Sequence, residues 1–421
     1  MMKEQSVTRF DPSTPVLVLN CELGGLAIVR SLGMLGVECW GIDDRADCPG
    51  FLSKFTRGRR TVERFNDNDP QGYLARVLEV GERIGRTAIL IPTSDELVLW
   101  AARHADVLGK RFLFPRQDPG MIDRLTGKAG MTEMAAEYGV PVPLNHLPVS
   151  ESDLLEAVEA FRFPVMLKPS LGSGQNVQPG QSMVLVHDHN ELLAEYRRRE
   201  DPSRPNMMIQ EYIPGNDDQV WIFDGYFDER SECRAAFTGR KIRQYPVHRG
   251  CASMGEQCPA DEVAEIMTRF LRGIGYRGIV DAGLRFDARD GKYKLLDVNP
   301  RIGQAFRLFL AEDGTDLAQC LYRDLTGQLE GNLPQRPFGR WFIEDYDLIS
   351  FFDYRSEGSL TTAAWLRSFR GAAESAWWCS RDLRPFAHLC RSLAGRIIRS
   401  AWRRIRNIGA SPAVDGSGAV G

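Results

Sequence analysis

The stretch from Gly278 to Arg301, GIVDAGLRFDARDGKYKLLDVNPR, constrains the fold of this chain more than any other. Two apolar runs flank a charged turn at Asp290 and Gly291, the pattern of a β-hairpin. Side chains alternate along a strand, so Asp297, Asn299 and Arg301 share one face while Leu296 and Val298 turn to the other. Symmetric pairing about the turn sets Asp281 opposite Asn299 and Gly283 opposite Asp297, on that same face. Carboxylates so placed repel unless a cation lies between them. A carboxylate, an amide oxygen and a guanidinium on one ledge suit a hard cation beside an anion. An exposed hairpin with solvated acids is the alternative, and the segments upstream bear on the choice.

With 421 residues the chain is long enough for two or three domains, and 43% hydrophobic with 26% charged residues is an ordinary globular balance. A formal net charge of -3 offers nucleic acid no overall attraction. The nine cysteines include no CxxC pair and no Cys/His spacing of a zinc site, and suit a reducing compartment. No apolar run approaches the ~20 residues of a membrane span. The start, MMKEQSVTRFDP, lacks the apolar core of a signal peptide, so a cytoplasmic protein is expected.

Pro15 to Asn20, a glycine pair at Gly24 and Gly25, a helical pattern and then Val37 to Asp43 read as a β-α-β opening of a doubly wound α/β domain. CELGGLA holds only part of a dinucleotide fingerprint. Ala88 to Pro92 is a further buried strand, after which Ser94, Asp95 and Glu96 either cap a helix or touch a ligand at the carboxyl end of the sheet. Lys128 falls in the first turn of a helix over Thr126 to Tyr138. A second helix, Ser150 to Phe161, has Ser150 and Asp153 at capping positions.

Phe163 to Pro169 is an apolar strand with one charge, Lys168, which needs an anionic partner to offset its desolvation. SLGSG follows at once, and Ser170, Gly172, Ser173 and Gly174 let backbone N–H groups approach phosphate oxygens. In MMIQEYI, residues 207–213, a strand leaving its sheet has free backbone groups to read an adenine edge, and Glu211 is placed to accept from a ribose hydroxyl; a plain linker is the alternative. Lys241 and Arg243 are two apart and therefore on one strand face, either a clamp for phosphate or carboxylate or a solvated basic edge.

Taken in order, Lys128, Lys168 with SLGSG, QEYIPG, GRKIRQYP and LLDVNPR resemble the ATP-grasp superfamily over about residues 15–330, in particular its carboxylate-amine ligase branch of D-aspartate ligase-like enzymes. The resemblance implies an N-terminal α/β domain (1–120), an ATP-grasp domain (121–330) with a lid about 145–213 and a C-terminal antiparallel sheet, and an extension (331–421). It implies ATP and Mg2+, with Mn2+ as a substitute. Lys128, Lys168 and Ser170 to Gly174 would contact phosphates. Gln210, Glu211, Tyr212 and Ile213 would form the adenine and ribose hinge, with Asp218 beside them. Asp297 and Asn299 would be metal ligands, and Lys241, Arg243 and Arg301 catalytic.

Glu is usual where Asp297 stands, and the family's first metal ligand aligns with Gly283, so either Asp281 supplies the missing oxygen, or the site holds one magnesium, or the chain is a degenerate enzyme. The implied activity is amide formation through an acyl phosphate, with small carboxylate and amine substrates, in cell-wall or peptide metabolism. A carboxylase using bicarbonate and a non-catalytic nucleotide-binding module are the alternatives.

Past residue 330 the chain turns aromatic and basic. Leu389, Leu393, Ile397, Ala401, Ile405 and Ile408 recur at near-helical spacing among arginines, the pattern of a helix either on an anionic membrane surface or docked on the protein's own acidic surface. The segment from Ala410 reads as disordered, and oligomeric state is left open.

Overall fold

The computed structural model describes residues 10–66, 68–169, 183–201, 203 and 205–395. Its first layer is a parallel five-stranded sheet, β1 (Val16–Leu19), β2 (Cys39–Asp43), β3 (Thr56–Thr61), β4 (Ala88–Pro92) and β5 (Phe112–Leu113), in the order β3-β2-β1-β4-β5. β1 and β4 read as continuous apolar runs because both faces are covered: Val16, Val18, Ile89 and Ile91 fall in one core, Leu17, Leu19, Ala88 and Leu90 in another. The order reverses at β1, so a crevice opens beyond the carboxyl ends of β1 and β4. The helix Leu23–Gly33 starts there, and a Cβ on Gly25 would crowd the Asn20 carbonyl at 2.7 Å.

A small antiparallel sheet follows, β6 (Asn145–His146), β7 (Val165–Pro169), β8 (Val184–Val186) and β9 (Met207–Glu211), ordered β6-β9-β7-β8. Val165, Leu167, Met207 and Ile209 pack against Leu154, Val158, Leu192 and Tyr196 of two covering helices. Strand alternation therefore leaves Met166, Lys168, Met208 and Gln210 on the opposite face. One covering helix starts where expected, the Ser150 hydroxyl accepting from the Asp153 N–H at 3.1 Å.

The third sheet has seven strands: β10 (Val220–Phe227), β11 (Cys233–Tyr245), β12 (Cys251–Gln257), β13 (Gly278–Asp287), β14 (Lys292–Asn299), β15 (Gly339–Phe342) and β16 (Ala372–Ser375). Their order is β14-β13-β10-β11-β12-β15-β16, so two segments of the expected extension complete this same sheet. Apolar residues of one face, among them Val280, Ala282, Leu284 and Val298, pack with the helices Asp261–Gly273 and Lys128–Glu137. The other face meets the helices Leu23–Gly33 and Leu317–Leu325. The three sheets are mixed α/β and α+β architecture, as the motif order implied.

Leu389, on a helical stretch over 384–395, packs with Leu23, Leu26, Ile343 and Trp377, and Leu393 lies against them. The start of the apolar stripe is thus covered by the chain itself. Ile397, Ala401, Ile405, Ile408 and the tail from Ala410 lie outside the described residues. No helix among the described residues is long and apolar enough to cross a membrane.

Candidate functional site

Asp281 pairs with Asn299 and Gly283 with Asp297, as expected, but through a bulge between Gly283 and Leu284 that shifts the register by one residue from that of the turn. Asp281, Asp297 and Asn299 are half-buried on one face. The Asn299 amide N–H donates to the Asp281 carbonyl at 3.2 Å and to Asp297 Oδ2 at 3.4 Å. A Cβ on Gly283 would collide with the Asp297 carboxylate, which fills the space left by the missing side chain. Among the described residues no three His, Cys, Asp or Glu side chains converge on a closed metal cage. The donor set present, Asp297 and Asn299 with Asp281 across the strands, is an incomplete oxygen shell. That suits a Mg2+ or Mn2+ that keeps waters and shares phosphate oxygens.

Arg301 is clamped at the crevice of the first sheet. Its Nε lies 3.0 Å from Asp95 Oδ1, its Nη2 donates to Asn299 Oδ1 at 3.1 Å, and its Nη1 is 3.8 Å from Asp281 Oδ2. Ser94 does cap the helix Asp95–Arg103, accepting from the Leu97 N–H at 3.4 Å. Asp95 beside it is the residue that ties the first sheet to the hairpin.

Lys168 is 9% exposed and donates to Gln210 Oε1. Among the described residues it meets no carboxylate at ion-pair distance. Burial, reinforced by the charge of Lys128 and opposed by Asp297, lowers its ammonium to about 7. Lys128 opens its helix and reaches the Leu296 carbonyl at 3.4 Å.

Burial raises Asp281 to about 6, against the pull of Arg301 and Lys241 and with the push of Asp297. Lys241 holds the Gly250 carbonyl at 2.8 Å. These electrostatic ties join Lys128, Lys168, Lys241, Arg301, Asp281 and Asp297 into one cluster.

A pH dependence follows. Unfolding returns Lys168 to the ordinary lysine range, so from about pH 7 to about pH 10 the unfolded chain binds more protons. Through Lys168 the fold gains stability as pH rises across that window and loses it as pH falls toward 7. The melting temperature of the ligand-free protein should climb from neutral to alkaline pH, and Lys168→Met should flatten the climb. An unchanged slope would contradict the assignment.

Arg243 does not join the cluster, which corrects the expectation that it shares a face with Lys241. Lys241 pairs with Gly255 and Arg243 with Met254, so a bulge at Ile242 places them opposite consecutive residues and turns them to opposite faces. Arg243 is buried in a fork on Asp347, Nε to Oδ1 at 2.7 Å and Nη2 to Oδ2 at 3.0 Å. The Trp365 indole N–H also donates to Asp347 at 2.8 Å. Breaking such a pair costs about 3–5 kcal/mol because a charge is left buried. Arg243→Met should destabilise the protein by that order in denaturant unfolding, and Arg243→Met with Asp347→Leu should recover much of the loss.

Two hinge expectations also change. Glu211 is turned away from Gln210 by strand alternation, and its carboxylate holds Arg289 at 2.5 Å, Lys294 at 3.5 Å and the Leu144 N–H at 3.2 Å. It ties the small sheet to the hairpin tip rather than presenting an oxygen to ribose. Asp218 is exposed and among the described residues accepts only from the Gln219 amide at 3.4 Å, whereas its neighbour Asp217 accepts from Gln244 and Tyr354. Tyr212 is half-buried and Ile213 buried, following Gln210 in the chain. Ser170, Gly172, Ser173 and Gly174 lie outside the described residues.

The sequence reading missed Asp224. It is 1% exposed, pairs with Asp281 across β10 and β13, and its Oδ1 has no hydrogen-bond partner. Burial and the neighbouring Asp281 push its carboxyl well above the usual range. The signal was the one that singled out Lys168, a lone charge in an apolar strand, here VWIFDGYF.

No family profile matches the chain. It is 28% identical over 246 residues to D-aspartate ligase of Enterococcus faecium (strain Aus0004), covering 56% of this chain and 58% of that protein. It is 24% identical over 271 residues to the carbamoyl phosphate synthase large chain of Halomonas eurihalina, covering 60% and 23%. The chain therefore spans less than two thirds of these relatives.

Among solved structures, N5-carboxyaminoimidazole synthetase from Staphylococcus aureus complexed with ADP superposes with a TM-score of 0.60 at 13% identity, covering 78% of this chain and 81% of that one. The L-amino acid ligase from Bacillus licheniformis gives 0.58 at 15%, covering 79% and 80%. Biotin carboxylase from Campylobacter jejuni gives 0.59 at 15%, covering 77% and 74%. At such identities these likenesses speak for the fold alone.

Proposed function

We propose that this chain, which has the ATP-grasp fold, is an ADP-forming ligase that joins a small carboxylate to an amine, with an amino acid as one of the two. The observation that carries it is the single cluster in which Lys128 and Lys168, without an ion-pair partner among the described residues, share the electrostatic surroundings of Asp297, which lies beside Asn299 and Arg301. A buried ammonium held near neutrality is a place prepared for phosphate oxygens. The likeness to D-aspartate ligase supports an amino-acid substrate.

In the proposed reaction a substrate carboxylate oxygen attacks the γ-phosphorus of ATP and the bond to the β-phosphate oxygen breaks, leaving an acyl phosphate and ADP. The amine nitrogen then attacks the acyl carbon, the carbon–oxygen bond to phosphate breaks, and inorganic phosphate leaves as the amine gives up a proton. Lys128 and Lys168 neutralise charge that develops on the transferred phosphoryl group. Arg301, oriented by Asp95 and Asn299, holds the carboxylate or the acyl phosphate. Lys241 adds positive charge beside Asp281. Mg2+, held by Asp297 and Asn299 with Asp281, would supply further charge neutralisation at the phosphates.

Gly283 favours a second reading, a nucleotide-binding module without turnover, because one carboxylate fewer is on hand for metal. ADP release measured across a panel of amino acids and bicarbonate separates the readings. Amino-acid-dependent release matched by equal phosphate and amide supports the ligase. Bicarbonate dependence would redirect it to a carboxylase, and nucleotide binding without turnover to the module. Attachment to an anionic membrane has less to stand on, since Leu389 and Leu393 are packed on the chain itself.

A further inference from the structure

We infer that a second anion site, built for a phosphate or pyrophosphate group carried on a small molecule, lies between the parallel sheet and the C-terminal helix. A cavity of about 580 Å³ opens there, with Lys54, Arg59, Arg384 and Arg391 on its walls and Phe51 and Thr56 among its lining. Among the described residues none of the four cations pairs with a carboxylate. Arg59 donates to the Phe51 carbonyl at 2.9 Å, and Lys54 rests over the Phe55 ring at 5.1 Å.

The acid that meets the backbone of Lys54 is already spent. Asp382 is buried, with Oδ2 taken by Arg30 at 3.0 Å and Ser53 at 2.8 Å and Oδ1 by the Lys54 N–H at 3.0 Å. Arg30 also grips the Ala376, Trp377 and Asp382 carbonyls at 2.8–3.0 Å. This knot fixes the chain entering the last helix against the loop that carries Lys54, so the cavity walls are held in place.

Other basic groups outside the ATP cluster are compensated where they gather, as two examples among the described residues show. Arg240 and Arg340 share Glu256 at 2.6 and 2.9 Å, and Lys294 lies 2.7 Å from Asp287. The sequence that follows adds positive rather than negative charge, with Arg396, Arg399, Arg403, Arg404 and Arg406 against Asp415 over 396–421. Four like charges around one space repel unless a multiply charged anion sits among them. Three guanidinium forks match phosphate oxygens better than a single carboxylate. The volume exceeds a bare phosphate and falls in the range of small-ligand pockets, and Phe51 offers an apolar surface to the rest of a phosphate ester.

The test uses the full chain and the double variant Arg384→Ala/Arg391→Ala, with inorganic pyrophosphate followed by calorimetry and vesicles of phosphatidylglycerol in phosphatidylcholine by co-sedimentation. Neither residue belongs to the ATP cluster, so ADP affinity and melting temperature should be unchanged. Pyrophosphate binding should weaken by about tenfold or more at the affected site, as expected for lost charge-assisted hydrogen bonds, and in the wild type it should weaken with salt. Loss of vesicle binding alone would make a lipid headgroup the source of the phosphate. Equal pyrophosphate and vesicle binding by wild type and variant, or none by either, would overturn the site while leaving the ligase proposal standing.

Discussion

Replacing Lys168 with alanine should abolish measurable ATP turnover while the protein stays folded. The side chain is buried, its charge is disfavoured by burial and by Lys128, and its hydrogen bond is to Gln210, a neutral amide. Removing a buried ammonium without a counter-charge costs the fold little, and at neutral pH it relieves desolvation. The bound phosphates, by contrast, lose a preorganised cation in a site of low dielectric. Loss of one such donor is worth about 10²–10³ in rate. The expected result is a fall of at least that size in kcat/KM, weaker ADP binding and a melting temperature equal to or above that of the wild type. Near-normal turnover would remove Lys168 from the site and with it the central support of the ligase proposal.

The second large effect is expected at Asp297→Asn. The substitution keeps shape and removes charge from the one carboxylate that faces both Asn299 and Lys168. In a set with glycine at 283 there is no neighbouring carboxylate on β13 at that level to take over, and Asp281, raised to about 6 by burial, is a poorer donor near neutrality. Turnover should fall by about 10²-fold or more, as expected when charge neutralisation at the transferred phosphoryl group is lost, with a higher Mg2+ requirement in titrations of activity. Lys168 loses the charge that favours its protonated form, so its ammonium should titrate lower still, and the alkaline limb of ADP binding should move to lower pH. Wild-type turnover at low Mg2+ would show that Asp297 holds no metal.

Much of the site was legible because strand geometry is periodic. A two-residue period puts Asp281 with Gly283, and Asp297 with Asn299, on one face of each strand, whereas a bulge between Gly283 and Leu284, which local spacing does not announce, brings the two pairs opposite each other. Lys168 was legible as an unpaired charge in an apolar run, and Asp224 by the same rule was overlooked. The parallel sheet was legible in β1, β2 and β4, whose apolar runs need cover on both faces, but not in β3, TRGRRT, an edge strand with little apolar content. β15 and β16 were hidden in the same way, since a few residues joining a sheet edge across a long sequence gap leave no local pattern.

What the sequence determined by itself is therefore what depends on local period and on single charges out of place: the hairpin ledge, the lone lysine and the doubly wound opening. What only the tertiary structure decided depends on partners distant in the chain. Arg243 became a structural ion pair because a bulge turned it toward Asp347, 104 residues away. Glu211 became a tie to Arg289 rather than a ribose acceptor, and Arg301 was oriented by Asp95, from the first sheet. A charged side chain goes to whichever opposite charge folding brings within reach, and that partner is selected by the packing of whole sheets, which no local spacing encodes.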